Sequence, residues 1–161
     1  MKRQGANGVT VNCEDGRLEV AFPAVEAEAS RAIASLHAGL SNFGLPGQKI
    51  ADIKIVLAEA INNVVEHAYA ECAPGMVRVS VLDSKDHLEV QIADTGRPLP
   101  GLKIPDGIPA SVETDTSNLP EGGFGWFLIR TLADEVRYDR KNGQNLLFLR
   151  FERTKKADRP Q

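Results

Sequence analysis

From Ile50 to Ala68 the chain sets apolar residues at Ile50, Ile53, Leu57, Ile61, Val64 and Ala68, the spacing of one buried stripe on a helix of 3.6 residues per turn. The polar residues of the run are placed as carefully as the apolar ones. Glu59 and Asn63 stand one turn apart, so both project from one edge of the stripe with β-carbons about 5 to 6 Å apart. A carboxylate and a neutral amide on one wall suit a divalent metal bound to phosphates, with Asn63 giving an oxygen ligand and Glu59 accepting a proton nearby. The competing reading is a solvated rim, the usual fate of polar residues beside an apolar stripe. His67 falls in the same run, whereas His37 and His87 lie in separate segments and read as surface or packing residues.

Around this helix the period alternates between two and 3.6. Met76 to Leu82 and Leu88 to Ala93 alternate about a polar Asp83-Ser84-Lys85-Asp86, which predicts a hairpin. A first strand is predicted at Leu18 to Phe22, stopped by Pro23. A closing hairpin is predicted at 135–138 and 144–151, joined by Lys141-Asn142-Gly143. Val25 to Phe43 reads as a helix with Ala29, Ile33, Leu36 and Leu40 on one face and Gly44 as its stop, and the striped helix runs from about Gly47 to Tyr69. A third helix starts near Gly125, with Trp126, Phe127, Ile129 and Leu132 on its apolar face.

Residues 1–16, with Gly5, Gly8 and Gly16, read as a flexible lead-in, 17–152 as the folded domain, and 153–161 as a disordered tail. A long aperiodic stretch, about 97–121 and rich in Pro, Gly, Asp and Ser, is expected to be a lid or binding loop. A chain of 161 residues with 42% hydrophobic content fits one compact α/β or α+β domain. A net charge of −3 with interspersed signs argues against a nucleic-acid partner. Apolar runs far short of about 20 residues and a polar N-terminus argue against a membrane and for a soluble, cytoplasmic protein. Cys13 and Cys72 lie too far from partners at ligand spacing to suggest zinc, and a disulfide is not expected.

Two glycine motifs follow the striped helix. Asp94-Thr95-Gly96 ends a strand, so its carboxylate can accept hydrogen bonds from an amino group while Gly96 lets a flat ring approach the backbone. A plain strand-ending turn is the alternative. Gly122-Gly123-Phe124-Gly125 opens the third helix, where free backbone N–H groups favour a phosphate; a hinge or helix-start turn is the alternative. It is neither a Walker loop nor a dinucleotide fingerprint.

The ordered set of acid and amide on a helix, strand-end Asp-x-Gly, long loop and Gly-x-Gly opening a helix resembles the ATP-binding domain shared by gyrases, heat-shock-90 chaperones, sensor histidine kinases and mismatch-repair ATPases. Glu59-Ala60-Ile61-Asn62-Asn63, His67-Ala68-Tyr69 and Gly122 to Arg130 look most like the bacterial anti-sigma factor serine/threonine kinases. The resemblance covers roughly residues 18–152. It implies an α+β two-layer sandwich, a mixed, mostly antiparallel sheet with helices on one face, the Bergerat-type ATP-binding fold. It further implies ATP and Mg²⁺ as cofactors, Glu59 as general base, Asn63 as magnesium ligand and Asp94 with Gly96 as the adenine site. His67, Gly122, Gly123, Phe124 and Gly125 complete the implied nucleotide contacts.

The implied function is a protein serine/threonine kinase that binds a sigma factor and phosphorylates a STAS-type anti-anti-sigma protein, as a homodimer by analogy. The chain departs from some relatives in lacking an Arg in the glycine motif, where Glu121 and Phe124 stand. Arg97, Lys103 and Arg130 are the nearest cations in sequence, and phosphoryl transfer needs charge offset of that kind. The alternatives are a nucleotide-dependent binding module without phosphoryl transfer and a detached histidine kinase catalytic domain.

Overall fold

A computed structural model of the chain describes residues 2–4, 8–107 and 123–154. The strands are β1 (Lys2–Gln4), β2 (Thr10–Glu14), β3 (Arg17–Pro23), β4 (Met76–Asp83), β5 (His87–Asp94), β6 (Glu135–Lys141) and β7 (Gln144–Glu152). They form one sheet in the order β1-β2-β3-β4-β5-β7-β6, and every pairing is antiparallel. Among the described residues the α-helices are α1 (Glu26–Leu40), α2 (Gly47–Asn63) and α3 (Gly123–Leu132).

The sheet buries alternate residues on one face only. Leu18, Val20 and Phe22 of β3, Val77, Val79 and Val81 of β4, Leu88, Val90 and Ile92 of β5, and Leu147, Leu149 and Phe151 of β7 are buried. Their neighbours Arg78, Leu82 and Glu89 are exposed, so the helices cover a single face and the expected two-layer α+β sandwich results. Each fully buried Val, Leu, Ile or Phe contributes about 1.5–3 kcal/mol of apolar burial. The helices supply Ala29, Ala32, Leu36 and Leu40 from α1 and Ile53, Val56, Leu57, Ala60 and Ile61 from α2. α1 rides so close to β3 that a Cβ on Gly39 would run into the Leu18 side chain.

Three expectations are corrected. Residues 1–16 contain β1 and β2 rather than only a flexible lead-in. The glycine read as flexibility, Gly16, is the turn residue of a two-residue hairpin: Glu14 pairs with Arg17 across Asp15-Gly16, with Gly16 at φ +71°. Val11 of β2 packs against the core.

The striped helix does not run uniformly to Tyr69. At Val64 it widens into a π-helical segment, Val64–Ala68, the kind of single wide turn that recurs at functional sites. Nor does the third helix begin at Gly125: its described part starts at Gly123, which puts Phe124 and Gly125 inside its first turn. The closing hairpin takes the expected form, with Asn142 at φ 51° and Gly143 at φ 75°, both positive as a type I′ turn demands.

Residues 108–121 of the expected lid, Gly122 and tail residues 155–161 lie outside the described residues. The described stem of the loop is anchored to α3. Arg130 donates from Nε to the Pro105 carbonyl at 2.8 Å and from Nη2 to the Ile104 carbonyl at 3.0 Å. Gly107, at φ +75°, passes so near α3 that a Cβ there would lie 2.6 Å from the Phe127 nitrogen.

Candidate functional site

The end of α2, the π segment, the end of β5 and the β6–β7 hairpin surround a cavity of about 240 Å³. Val64, Leu99, Trp126 and Leu147 give it apolar walls, and Asn63, Asp94 and Asn145 bring polar groups to it. Such a chamber, mostly apolar with a few fixed polar groups, is what a flat heteroaromatic ring needs.

Asp94 reaches the chamber because it is the last residue of β5 and keeps the inward phase of Leu88, Val90 and Ile92. Only 4% of it is exposed. Its Oδ1 accepts from the Gly96 backbone N–H at 2.8 Å and from Asn145 Nδ2 at 2.9 Å, which leaves Oδ2 to accept from a ligand's amino group. Burial pushes the Asp94 carboxyl above its ordinary value, opposed by the Asn145 and Gly96 hydrogen bonds and the charge of Arg140. Gly96 is needed for closeness: a Cβ there would lie 2.6 Å from the Ala68 carbonyl oxygen. That approach seats the chain after β5 against the π segment, where the Arg97 N–H donates to the Ala68 carbonyl at 2.8 Å.

A second, outer chamber of about 400 Å³ adjoins the first, lined by Glu59, Asn62, Asn63, Glu66, His67, Phe124 and Gly125. Asn63 and His67 line both chambers. The Asn63 Nδ2 is buried with no hydrogen-bond partner, a group that costs about 1–3 kcal/mol unless a ligand satisfies it. Gly125 of α3 faces the α2 acid, since a Cβ on it would stand 2.7 Å from Glu59 Oε2 and 3.7 Å from Asn63 Oδ1. The orphaned Asn63 NH₂ suits a phosphate oxygen, and its Oδ1 beside Gly125 suits a magnesium ion, which takes one or two protein oxygens and completes its shell with phosphate and water.

Most of the sequence-predicted residues therefore meet at one two-chambered cleft. Glu59, Asn63, His67, Phe124 and Gly125 line the outer part, Asp94 the inner, and Gly96 supports it from behind. Gly123 lines neither chamber, and Gly122 lies outside the described residues. Of the nearby cations, Arg130 is spent on the Ile104 and Pro105 carbonyls. Arg97 lines the inner chamber and pairs with Glu71 at 2.6 Å. Lys103 is exposed. Glu66 is exposed beside His67, 4.0 Å away.

Asn145, Tyr138 and Arg140 were not expected from the sequence. Asn145 Nδ2 donates to Asp94 Oδ1, the Gly96 carbonyl at 3.2 Å and the Arg97 carbonyl at 2.9 Å. Its Oδ1 accepts from Tyr138 and Arg140, each at 2.6 Å. One signal was available: Asn145 keeps the inward phase of Leu147, Leu149 and Phe151 on β7, and a polar residue in a buried row has to find partners.

An all-antiparallel sheet covered on one face by helices, with an acid at a strand end and an acid–amide pair on the helix across from it, defines a nucleotide-binding ATPase module. The sequence profile of the histidine kinase-like ATPase domain matches residues 22–151, from the end of β3 to the end of β7, and the chain belongs to that family. Relatives within it include serine-protein kinases. The serine-protein kinase RsbW of Oceanobacillus iheyensis is 31% identical over 135 residues, 83% of this chain and 85% of that protein. That of Bacillus licheniformis is 34% identical over 119 residues, 73% of this chain and 74% of that protein. Among solved structures, the blue-light activated histidine kinase EL346 of Erythrobacter litoralis matches with a TM-score of 0.50 at 20% identity, over 82% of this chain and 42% of that one; this likeness speaks for the fold alone. No helix among the described residues is long and apolar enough to cross a membrane.

Proposed function

We propose that this chain binds magnesium-ATP in the two-chambered cleft and passes the γ-phosphoryl group to a serine of a STAS-type anti-anti-sigma protein, while its complex with a sigma factor keeps that factor inactive. The observation that carries the reading is Asn63, which borders both chambers with a buried amide nitrogen that has no partner. A ligand running from the inner to the outer chamber would pass that amide.

In this reading the apolar walls bury the purine and Asp94 accepts from its amino group, with Gly96 shaping the pocket. His67, Gly122, Gly123, Phe124 and Gly125 serve the sugar and phosphates. Asn63 Oδ1 is the oxygen that would hold magnesium. Magnesium, when bound, offsets the charge that develops on the transferring phosphoryl group. Glu59 accepts the proton of the serine hydroxyl as its oxygen bonds to the γ-phosphorus, the bond to the ADP oxygen breaks, and ADP departs. The protein is taken to act in the cytoplasm and, by analogy alone, as a homodimer.

A second reading is favoured by the engagement of Arg97 and Arg130 elsewhere: a binding module that switches with nucleotide and transfers nothing. Incubation with γ-labelled ATP, magnesium and a STAS-type partner separates the two. Acid-stable phosphoserine on the partner is the expected outcome. Bound ATP with no label transferred would replace the kinase reading by the binding module.

A further inference from the structure

Asp94, Asn145 and Arg140 stand in one row across three strands, Asp94 opposite Asn145 between β5 and β7, and Asn145 opposite Arg140 between β7 and β6. Arg140 does not line the inner chamber. It reaches the site only through others, its Nη1 donating to Asn145 Oδ1 at 2.6 Å and to the Gly96 carbonyl at 3.0 Å.

A guanidinium has donors and no acceptor. Whatever part of the Asn145 amide faces Arg140 must therefore be oxygen, and the NH₂ must point the other way. There it meets acceptors only: Asp94 Oδ1 and the Gly96 and Arg97 carbonyls. Tyr138 also donates to Asn145 Oδ1, but a phenol can reverse its role and accept, so it cannot fix the amide alone.

We propose that Arg140 is a positioning residue for purine selection, holding its charge behind the Asn145 amide, whose NH₂ faces Asp94, so that Asp94 stays a carboxylate and accepts from adenine. This rests on the nucleotide reading above. Without Arg140 the three acceptors still hold the NH₂ toward Asp94, but the charge that favours the carboxylate is gone, so Asp94 takes a proton at higher pH. With Oδ1 still accepting from Asn145 and Gly96, that proton sits on Oδ2. There it can be donated to the carbonyl oxygen that guanine carries where adenine carries an amino group.

The other titratable or charged groups around the chamber are His67 from the π segment, Arg97 from the loop after β5 and Tyr138 from β6. Among the described residues, Arg140 alone brings a permanent positive charge into contact with the Asn145 amide. Burial already favours the protonated form of Asp94, so the carboxylate depends on these donors. Because binding of adenine uses the carboxylate, ATP affinity falls as pH falls, and removing Arg140 moves that fall to higher pH.

The test titrates the full chain and its Arg140→Met and Arg140→Lys variants with magnesium-ATP and magnesium-GTP between about pH 6 and 8, following the fluorescence of Trp126, the chain's one tryptophan and a wall of the chamber. The expected result for Arg140→Met is roughly tenfold weaker ATP binding, a smaller preference for ATP over GTP, and a steeper loss toward low pH. Arg140→Lys, which also presents only donors, is expected to recover much of the preference. Should Arg140→Met melt early, Arg140→Gln carries the same comparison, because an amide carries no charge. Arg140→Met with the parent's ATP affinity, ATP/GTP ratio and pH profile would overturn the inference and leave nucleotide binding intact. A parent chain that bound neither nucleotide would remove the nucleotide reading as well.

Discussion

The inner and outer chambers are completed to different degrees. In the inner one, Asp94, Asn145, Tyr138 and Arg140 hold one another in a closed hydrogen-bonded set carried by three adjacent strands. In the outer one, the Asn63 amide nitrogen is buried without a partner, and Phe124 stands 49% exposed in the first turn of α3. Under the proposed function, the contrast means that recognition is built into the sheet ahead of any ligand, whereas the chemical end is left for nucleotide and protein substrate to complete.

The sharpest way to break that division is at the acid of the outer chamber. Glu59→Gln is expected to lower kcat for phosphoryl transfer by about 10²- to 10⁴-fold while ATP binding stays at the parent's level. A variant that phosphorylated its partner at the parent's rate would remove Glu59 from the role of base.

Asp94→Asn attacks the other chamber. ATP affinity should fall by roughly tenfold to a hundredfold, with kcat at saturating ATP largely kept; a loss confined to kcat would dissolve the division. Its stability should move the opposite way. The folded chain holds the Asp94 proton to higher pH than the unfolded chain does, because burial raises that carboxyl. Stability from this group is thus present at low pH and declines as pH climbs from the ordinary carboxyl value through the raised one. The neutral amide escapes the decline, so the Tm of Asp94→Asn relative to the parent should rise with pH across that window. A gap that narrowed instead would mean the carboxylate is better solvated than its burial implies.

Gly125→Ala sharpens the comparison inside the outer chamber. The new methyl would fall 2.7 Å from Glu59 Oε2, the movable end of a side chain, so the acid swings aside and kcat is expected to drop about tenfold. Alanine within a helix is worth up to about 1 kcal/mol over glycine, so Tm should hold or rise as the rate falls. A variant losing both would point to a packing defect. The smallest effect belongs to the rim. Glu71→Ala cuts the exposed pair with Arg97, and at physiological salt neither Tm nor ATP affinity should move measurably.

The elements that a reader of the sequence finds most easily are those with many turns of one period. The stripe on α2 and the alternation of β4 and β5 match the expected elements closely, because burial on one face writes itself into every third or fourth, or every second, residue. β2 was hidden by its glycine-rich surroundings, although Asp15-Gly16 is a hairpin turn once a partner strand is found. The π segment leaves little trace in period, since Val64–Ala68 is the last stretch of the helix and no further turns follow it to display a changed phase. Of the site, Glu59, Asn63 and Asp94 were legible because their neighbours in sequence already restrict where they point. The Asn145 hydrogen bond to Asp94 spans 51 residues, and the Arg130 contacts end on backbone carbonyls. Neither kind of contact is encoded by local pattern.

The wide turn at Val64–Ala68 has a bearing on how this cleft can diversify. Such a turn behaves like an α-helical one carrying a surplus residue, and each residue advances the helix by about 100°. Loss of a single codon there would swing His67 and Ala68 around the axis while Glu59 and Asn63, upstream, kept their bearings. The seat of Gly96 against Ala68 would change with it. The mouth of the cleft can thus be reshaped by a minimal genetic event that leaves Glu59 and Asn63 in place.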